Sequence, residues 1–200
     1  MTTFLTADFH LGETRLETLN RPFTDTTEMA EVLIENHNAV VAKNDLVYVV
    51  GDVLWKGADP NKWMPFIDRF NGRKTLIRGN QDRPFTDEQF SKYFERIVPE
   101  GDGIELDIEG LPCYITHYPT RGRKDRFTIC GHVHSAWRIQ KNAFNCGLDA
   151  NHFRPTSAAG VLKVYDSICT FYDEDAWVAY NEINTTHMDR GRKGSYFNGR

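Results

Sequence analysis

The sequence lacks any long uncharged apolar run, and residues 1–6 contain no lysine or arginine. A membrane-spanning helix needs about 20 consecutive apolar residues. A secretory signal peptide begins with a basic segment that is followed by an apolar one. We therefore predict a protein that has neither a membrane span nor a signal peptide, and we expect it in the cytoplasm.

Cysteine is scarce, and no two cysteines form a Cys-x-x-Cys pair. The four cysteines, Cys113, Cys130, Cys146 and Cys169, are scattered along the chain. Three of them lie in apolar, strand-like surroundings. Disulfide frameworks and thiolate zinc sites both need closely patterned cysteines. We interpret these residues as reduced core thiols, which agrees with a cytoplasmic location.

The chain also lacks a strong excess of one charge. It has 24 basic and 28 acidic residues, so its net charge is -4. Proteins that bind nucleic acid usually carry a clear basic excess on one face, and the overall charge gives no such indication. A loop over 120–126 is locally basic. It is either a solvated surface loop or a phosphate-facing patch, and the sequence favours neither.

The length of 200 residues fits one domain. We predict a single domain over 1–184 and a basic, glycine-rich tail over 185–200. Apolar strands at 2–7, 46–50 and 74–77 are separated by two amphipathic helices. This alternation predicts a layered α/β core.

The periodicity of apolar residues predicts the remaining elements. The first amphipathic helix begins near Asp25, and His37 is predicted on its solvated face. The second begins at Asp59-Pro60. The later predictions are a helix at 86–94, a hairpin of strands at 104–108 and 113–116, a strand at 127–130, two short strands within 137–144, a helix at 156–165 capped by Thr156 or Ser157, a strand at 167–172 and a helix at 173–183.

Polar side chains follow five of the predicted strands. They are Asp8 and His10, then Asp52, then Asn80 with Gln81 and Asp82, then His117, and finally His132 and His134. Taken alone, each group has a simple explanation, such as a turn cap or a surface histidine. If the ends of the five strands converge on one rim of the fold, the five groups together would form a metal site. Oxygen and imidazole ligands without thiolate suit Mn, Fe, Zn, Ni or Co.

The set offers too many ligands for one ion. The seven candidates are Asp8, His10, Asp52, Asn80, His117, His132 and His134. A carboxylate such as Asp52 has two oxygens and can bridge two ions that lie about 3.5–4 Å apart. The sequence therefore predicts a centre with two metals.

In this order, these motifs resemble the calcineurin-like metallophosphoesterase superfamily. The resemblance covers roughly residues 3–155. It lies in Asp8-x-His10, Gly51-Asp52, Gly79-Asn80-x-Asp82, His117 and Gly131-His132-x-His134. Arg21-Pro22-Phe23 and Asn145-x-Gly147-x-Asp149-Ala150 also resemble a small bacterial and phage branch of the superfamily.

The resemblance implies a fold, a cofactor and a reaction. The implied fold is an α/β (α+β) four-layer α/β/β/α sandwich of two mixed sheets flanked by helices. Two divalent ions, manganese first, would activate water to hydrolyse a phosphate ester. The first ion would be held by Asp8, His10, Asp52 and His134. The second would be held by Asp52, Asn80, His117 and His132.

The chain departs from the family pattern at two positions. Gln81 stands where the family usually has a histidine that protonates the leaving group, and glutamine donates a hydrogen bond but no proton. Related branches with another residue there cleave diesters or pyrophosphates, so we predict a phosphodiesterase. Glu13 stands where small relatives often carry histidine, which replaces a phosphate-facing base with an acid.

These comparisons complete the candidate site. The predicted catalytic residues are Gln81 and Asp82, and Asp82 would support the site by hydrogen bonding. The predicted substrate contacts are Arg83, Glu13, Arg121 and Arg123. Arg78 is interpreted as an ordinary surface arginine.

Two other functions remain open from the sequence. Gln81 favours a catalytically impaired binding or scaffold module of the same fold. The basic loop and tail allow a nuclease, although the net charge does not support one. A protein serine/threonine phosphatase is disfavoured because residues 53–57 lack the Asp-Arg-Gly of that branch. The expected partner is a phosphate-ester substrate, with a nucleotide or nucleic acid left open, and the sequence makes no prediction of oligomeric state.

Overall fold

The structure is a computed structural model, and it describes residues 1–171. The chain divides into a compact unit over 1–164 and a second unit over 165–200. The predicted domain end at residue 184, the predicted helix at 173–183 and the predicted tail lie outside the described residues.

The first sheet contains five strands in the order β10-β1-β2-β3-β4. Its strands are β1 (Thr3–Thr6), β2 (Leu46–Val49), β3 (Arg73–Ile77), β4 (Arg96–Val98) and β10 (Thr156–Ser157). The strands from β1 to β4 are parallel, and β10 pairs antiparallel with β1. Because β1, β2 and β3 point the same way, the segments that follow them leave at one edge of the sheet.

The second sheet has the order β5-β6-β7-β9-β8. Its strands are β5 (Gly103–Ile108), β6 (Leu111–Thr116), β7 (Phe127–Cys130), β8 (Ile139–Gln140) and β9 (Ala143–Asn145). The strands β6, β7 and β9 are parallel, while β5 and β8 are antiparallel to their neighbours. The prediction of two mixed sheets with flanking helices is confirmed.

Four α-helices are described. They are α1 (Thr26–Asn38), α2 (Pro60–Trp63), α3 (Asp87–Phe90) and α4 (Ala158–Phe171). Short 3-10 helices cover Leu16–Leu19, Met64–Arg69, Pro119–Arg121 and Leu148–Ala150. No described helix is long and apolar enough to cross a membrane.

The predicted caps form where the sequence placed them. Asp25 precedes α1, and its carboxylate accepts hydrogen bonds from the backbone of Thr27 and Glu28. The Ser157 hydroxyl accepts from Gly160 N at 3.1 Å and caps α4. Such caps satisfy backbone donors that the first helical turn leaves unpaired.

The predicted strand at 167–172 is wrong as far as Phe171, the last described residue. These residues continue α4, which is longer than the predicted helix at 156–165. The β-branched side chains of this segment favoured a strand, but local propensity is a weak guide that context overrides. The short strands β4 and β10 were not predicted, because three and two residues are too few to show a period.

The prediction for His37 is also wrong. Its side chain is buried, with 2% of the residue exposed. Its Nε2 donates to the carbonyl oxygen of Asn71 at 2.9 Å, and its ring packs edge-on against Phe70. The chain after the Met64–Arg69 helix covers this face of α1 and supplies a carbonyl that needs a donor.

Three of the four cysteines are buried free thiols, as predicted. Cys113, Cys130 and Cys146 lie in the interior, and burial raises the pKa of each. Cys169 is free but exposed, so its assignment to the core is wrong. It lies on a helix, where apolar residues nearby in sequence do not all share one face.

Candidate metal centre

The strand ends of both sheets meet at one place. After β1, Asp8 N donates to the carbonyl of Gly51 and His10 N donates to that of Asp52, each at 3.0 Å. Ala7 forms a parallel bridge with Gly147, which follows β9 of the other sheet. The segments that carry the predicted ligands are therefore held together by backbone hydrogen bonds.

Two glycines allow this close approach. A Cβ on Gly51 would lie 2.3 Å from His117 Nδ1, and Gly51 itself has a φ of +88°. A Cβ on Gly79 would lie 2.2 Å from Asp52 Oδ1. A Cβ atom does not approach an unbonded atom this closely. Both positions therefore need glycine if the polar groups are to converge.

Five of the predicted ligands have a left-handed backbone. Their φ angles are 63° for Asp8, 52° for His10, 56° for Asp52, 73° for His132 and 47° for His134. This conformation is uncommon for residues other than glycine, and each instance costs on the order of 1–3 kcal/mol. Strain that collects on one set of polar residues supports a function for that set.

The structure brings the predicted carboxylates and imidazoles into two groups. One comprises Asp8, His10 and His134, and the other comprises Asp52, His117 and His132. Within each group the ligand atoms all lie within 4.8 Å of one another. His132 is exposed, whereas Asp8, His10, Asp52 and His117 are buried, so the groups lie below an opening to solvent.

Asp52 belongs to the second group and also faces the first. Its Oδ2 is 3.6 Å from His10 Nε2 and 3.5 Å from His117 Nε2. Its Oδ1 accepts a hydrogen bond from Gln81 N at 2.8 Å. One carboxylate oxygen thus faces an imidazole from each group, which is the arrangement that a bridging ligand needs.

Hydrogen bonds orient two of the imidazoles. His117 Nδ1 lies 2.8 Å from the carbonyl of Val50 and donates to it, so in the neutral imidazole that binds a metal the lone pair is on Nε2. That Nε2 is 3.2 Å from Asn80 Oδ1. His134 Nδ1 likewise donates to Asp149 Oδ2 at 2.8 Å. Metal-binding histidines are typically fixed in this way, with the second nitrogen free for the metal.

His10 provides a direct test of whether the donor set fits a metal. Only 2% of the residue is exposed, yet within the described residues neither ring nitrogen has a hydrogen-bond partner. A buried polar group that lacks a partner is costly. A cation among Asp8, His10 and His134 would satisfy it, so these residues fit a metal ion.

The electrostatics also favour added positive charge. Burial raises the pKa of Asp8. Burial alone would lower the pKa of His10 and His117, but nearby carboxylates, Asp52 above all, raise both to about 9. Burial likewise opposes ionisation of Asp52, and the two imidazoles still hold its pKa well below the usual range. The buried carboxylates thus attract cations to this site.

Asp82 is fully buried and anchors the loops that follow β2 and β3. Its carboxylate accepts hydrogen bonds from the backbone N–H groups of Asp52, Val53 and Gly79, each at 2.9 Å. Burial and the neighbouring Asp52 raise its pKa to about 6. Asp82 therefore holds the backbone of Asp52 in place, and its supporting role in a catalytic site stays a prediction.

Gln81 lies at the edge of the site. Its backbone N–H binds Asp52, and its side-chain Oε1 accepts from Lys56 N at 3.3 Å. Within residues 1–171, its Nε2 amide has no hydrogen-bond acceptor. Two N–H donors beside Asp52 are therefore available to a ligand.

The predicted substrate contacts are dispersed around this site. Glu13 is buried, accepts two side-chain bonds from Arg15 and lies 3.9 Å from His10 Nδ1. Arg83 pairs with Glu100, and Arg123 pairs with Glu105. Arg121 is exposed on the loop after His117.

Arg78 is not the surface residue that the sequence suggested. Only 15% of its side chain is exposed. It donates to the carbonyl oxygens of Asp82 and Phe85 and pairs with Asp87. The Asp82 carbonyl also accepts from Phe85 N at 3.1 Å, so the guanidinium adds a second hydrogen bond there and helps to fix the turn after β3.

Sequence reasoning did not assign a role to three residues at the site. Arg21 and Asp149 form a buried pair behind His134. The only signal for them was that both belong to motifs typical of one branch. The Tyr118 ring packs edge-on against His117 and His132, with centroids 4.9 Å from each, and its hydroxyl donates to Glu100. An aromatic residue next to a histidine gave no comparable signal.

Known proteins resemble this chain over most of its length. An uncharacterised protein of Methanocaldococcus jannaschii is 25% identical over 171 residues, which cover 82% of this chain and 90% of that protein. The gene 66 protein of Mycobacterium phage L5 is 33% identical over 181 residues, covering 74% of this chain and 86% of that protein.

A solved structure shares the fold. The protein of unknown function AQ665 from Aquifex aeolicus superposes with a TM-score of 0.64 and 23% identity. The match covers 81% of this chain and 98% of the Aquifex protein. At this identity the likeness concerns the fold alone.

The family is established by the sequence match and agrees with the site. The profile of the calcineurin-like phosphoesterases matches residues 1–142. That span contains both groups of candidate ligands, together with the glycines that let them converge. This chain belongs to the calcineurin-like phosphoesterase family.

Proposed function

We propose that the chain is a phosphodiesterase with two metal ions. Asp8, His10, Asp52 and His134 hold the first ion, and Asp52, Asn80, His117 and His132 hold the second. The observation that carries the proposal is the position of Asp52 Oδ2, which lies 3.6 Å from His10 Nε2 and 3.5 Å from His117 Nε2. We expect manganese, with Fe, Zn, Ni or Co as alternatives that suit the same donors.

The protein supplies orientation and charge. When bound, the two ions polarise the phosphoryl oxygens and lower the pKa of water, as in other two-metal hydrolases. Asp52 is held in place by Gln81 N, and its loop is held by Asp82. Such fixed groups stabilise developing charge because they need little rearrangement during the reaction.

Gln81 favours particular leaving groups. Its free Nε2 amide donates a hydrogen bond to a phosphoryl or leaving oxygen but delivers no proton. General acid catalysis is worth about 10²–10⁴-fold where the leaving group needs a proton. The chain is therefore suited to esters whose leaving group departs without that help.

The charges near the site favour a diester over a monoester. Three arginines that flank the site residues in sequence are already paired with carboxylates: Arg15 with Glu13, Arg83 with Glu100 and Arg123 with Glu105. A phosphomonoester carries about -1.5 to -2 near neutral pH, whereas a diester carries a single negative charge. Arginines that are already paired offer little positive charge to balance the second negative charge of a monoester. The singly charged diester needs less of it.

The test compares hydrolysis of bis-p-nitrophenyl phosphate and p-nitrophenyl phosphate, with manganese and with chelator. We expect manganese-dependent cleavage of the diester to exceed that of the monoester. Gln81→His introduces a proton donor, so it should change the p-nitrophenyl rates little and should raise the cleavage of diphenyl phosphate, which has a poorer leaving group, by up to about 100-fold. Gln140→His, on β8, is the matched control and should leave all rates unchanged.

The other outcomes distinguish the remaining hypotheses. Activity only in Gln81→His would mean that the chain is catalytically impaired and works as a binding module. No cleavage by either protein, despite bound metal, would contradict the phosphodiesterase. Faster cleavage of the monoester by the unaltered chain would contradict the assignment to diesters.

A further inference from the structure

Arg21 is a buried arginine that contacts one carboxylate, two backbone carbonyls and the sulfur of Met29. Its side chain has no exposed surface. Nε and Nη2 donate to the two oxygens of Asp149 at 2.8 and 2.9 Å. Nη1 donates to the carbonyl of Phe9 at 2.9 Å, and Nη2 also donates to that of Asp8 at 2.5 Å.

These contacts link Arg21 to the chain segments that carry Asp8, His10 and His134. Asp149 Oδ2 accepts from His134 Nδ1 at 2.8 Å, so Arg21 is connected to His134 through one carboxylate. The carbonyls of Asp8 and Phe9 belong to the turn that carries Asp8 and His10. Asp8 and His10 both have positive φ angles, of 63° and 52°. A strained turn persists only when its surroundings hold it.

We propose that Arg21 is a positioning residue that holds Asp8, His10 and His134 in the geometry that binds the first metal ion. The inference rests on the proposed function, because it takes these three residues as ligands. Arg21 lies behind the ligands and touches no substrate. It acts through the backbone of the turn and through the Asp149 carboxylate.

Lysine cannot take over this role. The guanidinium is planar and presents five donors in a fixed fork, whereas an ammonium is a compact point charge. Arg21 uses the fork on two segments of the chain at once. One segment supplies the carboxylate of Asp149, and the other supplies the adjacent carbonyls of Asp8 and Phe9. Arg21→Lys therefore keeps the charge and loses the simultaneous contacts.

The experiment titrates the full-length, metal-free chain with manganese and measures calorimetric stoichiometry together with the electron paramagnetic resonance spectrum. Unaltered protein should bind two ions and show a spin-coupled pair. Arg21→Lys should bind one ion about 10–100-fold more weakly, the range typical for residues that orient metal ligands, while the other affinity is unchanged. Its spectrum should then show isolated manganese at low occupancy.

Two variants calibrate the result. His134→Gln removes one ligand directly and should give the same one-metal spectrum. Arg69→Lys is the matched control, because Arg69 pairs with Glu31 through two bonds on an exposed surface. It should bind two ions as the unaltered chain does.

Each remaining outcome decides against a specific claim. Two unchanged affinities in Arg21→Lys, with only a lower melting temperature, would show a merely structural role and overturn the inference. Equal weakening of both ions would also overturn it. Should unaltered protein bind no manganese, the proposed function fails, and the positioning role fails with it. If Arg21→Lys does not fold, Asp149→Asn breaks the same connection at its other end and is judged by the same criteria.

Discussion

At the scale of single residues, the site depends on polar groups that are buried and held from behind. Asp82 is the clearest case, because its carboxylate accepts four backbone hydrogen bonds and has no exposed surface. His134 is likewise held from behind, because its Nδ1 donates to Asp149, which Arg21 binds in turn. The geometry of the candidate ligands is therefore determined by residues that need not contact a metal or a substrate.

Asp82→Asn tests this dependence. The amide replaces one accepting oxygen with a donor, so at least one buried backbone N–H loses its partner, at a cost of about 1–3 kcal/mol. We expect the free energy of unfolding to fall by about 2 kcal/mol and diester hydrolysis to fall by about 10–100-fold. Asp102→Asn, at an exposed position, is the control. Unchanged turnover in Asp82→Asn would contradict the supporting role.

Gly79→Ala tests the close approach of the strand ends. The added Cβ would lie 2.2 Å from Asp52 Oδ1 and 2.7 Å from Asp52 N, so Asp52 must move. We expect loss of manganese binding in calorimetry. Gly110→Ala is the control, because its Cβ meets nothing within 4 Å and it suffers only the strain of a φ of +91°, about 1 kcal/mol. Normal metal affinity in Gly79→Ala would rule out this packing argument.

At the scale of elements, the sequence predicts most of the candidate site because the candidate ligands follow strands. Apolar runs such as 46–50 are readable as strands, and parallel strands bring their carboxyl ends to one edge. The contact between Arg21 and Asp149 joins residues 128 positions apart. No local sequence pattern indicates a contact between residues so far apart, so the support behind His134 could not be predicted from the sequence.

The errors occur where packing overrides a local pattern. His37 lies on α1 at the border between its apolar and polar positions. The chain at Asn71 covers this border, so the side chain of His37 is buried. The segment at 167–171 carries β-branched residues but forms the end of α4. In both places the decisive contact comes from a part of the chain that the pattern does not include.

His37 makes the stability of the fold depend on pH. Burial, and secondarily the positive charge of Lys74, lower its pKa from 6.5 to about 4, although its bond to Asn71 opposes the shift. The unfolded state therefore binds a proton between these values while the folded state does not. The stabilisation is full above pH 6.5 and is lost as the pH falls toward 4.

His37→Gln should remove this dependence. Between pH 7 and pH 4, urea denaturation should show that the variant loses roughly 3 kcal/mol less stability than the unaltered chain. His152→Gln, at an exposed position, should follow the unaltered chain. Identical pH profiles for His37→Gln and the unaltered chain would contradict the account, because they would show that the pKa of His37 is the same in the folded and unfolded states.

At the scale of the whole molecule, two mixed sheets are arranged so that their strand ends share one site. Neither sheet holds all the candidate ligands. Those that follow strands of the first sheet are Asp8, His10, Asp52 and Asn80, and those that follow strands of the second are His117, His132 and His134. The bridge between Ala7 and Gly147 joins the two sets. The site therefore exists only when both sheets have formed.

The net charge of -4 makes a prediction about nucleic acid. We expect the affinity for single-stranded DNA, measured by fluorescence anisotropy, to be weaker than the roughly 10⁻⁴–10⁻⁶ M typical of non-specific binding at physiological salt. The physical reason is that few phosphates would be neutralised by unpaired basic residues. Tight binding that weakens steeply with added salt would instead favour the nuclease.

The central claim is that Asp52 lies between two metal ions. The most direct measurement is anomalous diffraction at the manganese edge from crystals of the full chain grown with manganese. The account predicts two anomalous peaks, one beside Asp8, His10 and His134 and the other beside Asn80, His117 and His132, with the Asp52 carboxylate contacting both. A single peak, or two peaks that Asp52 does not join, would contradict it.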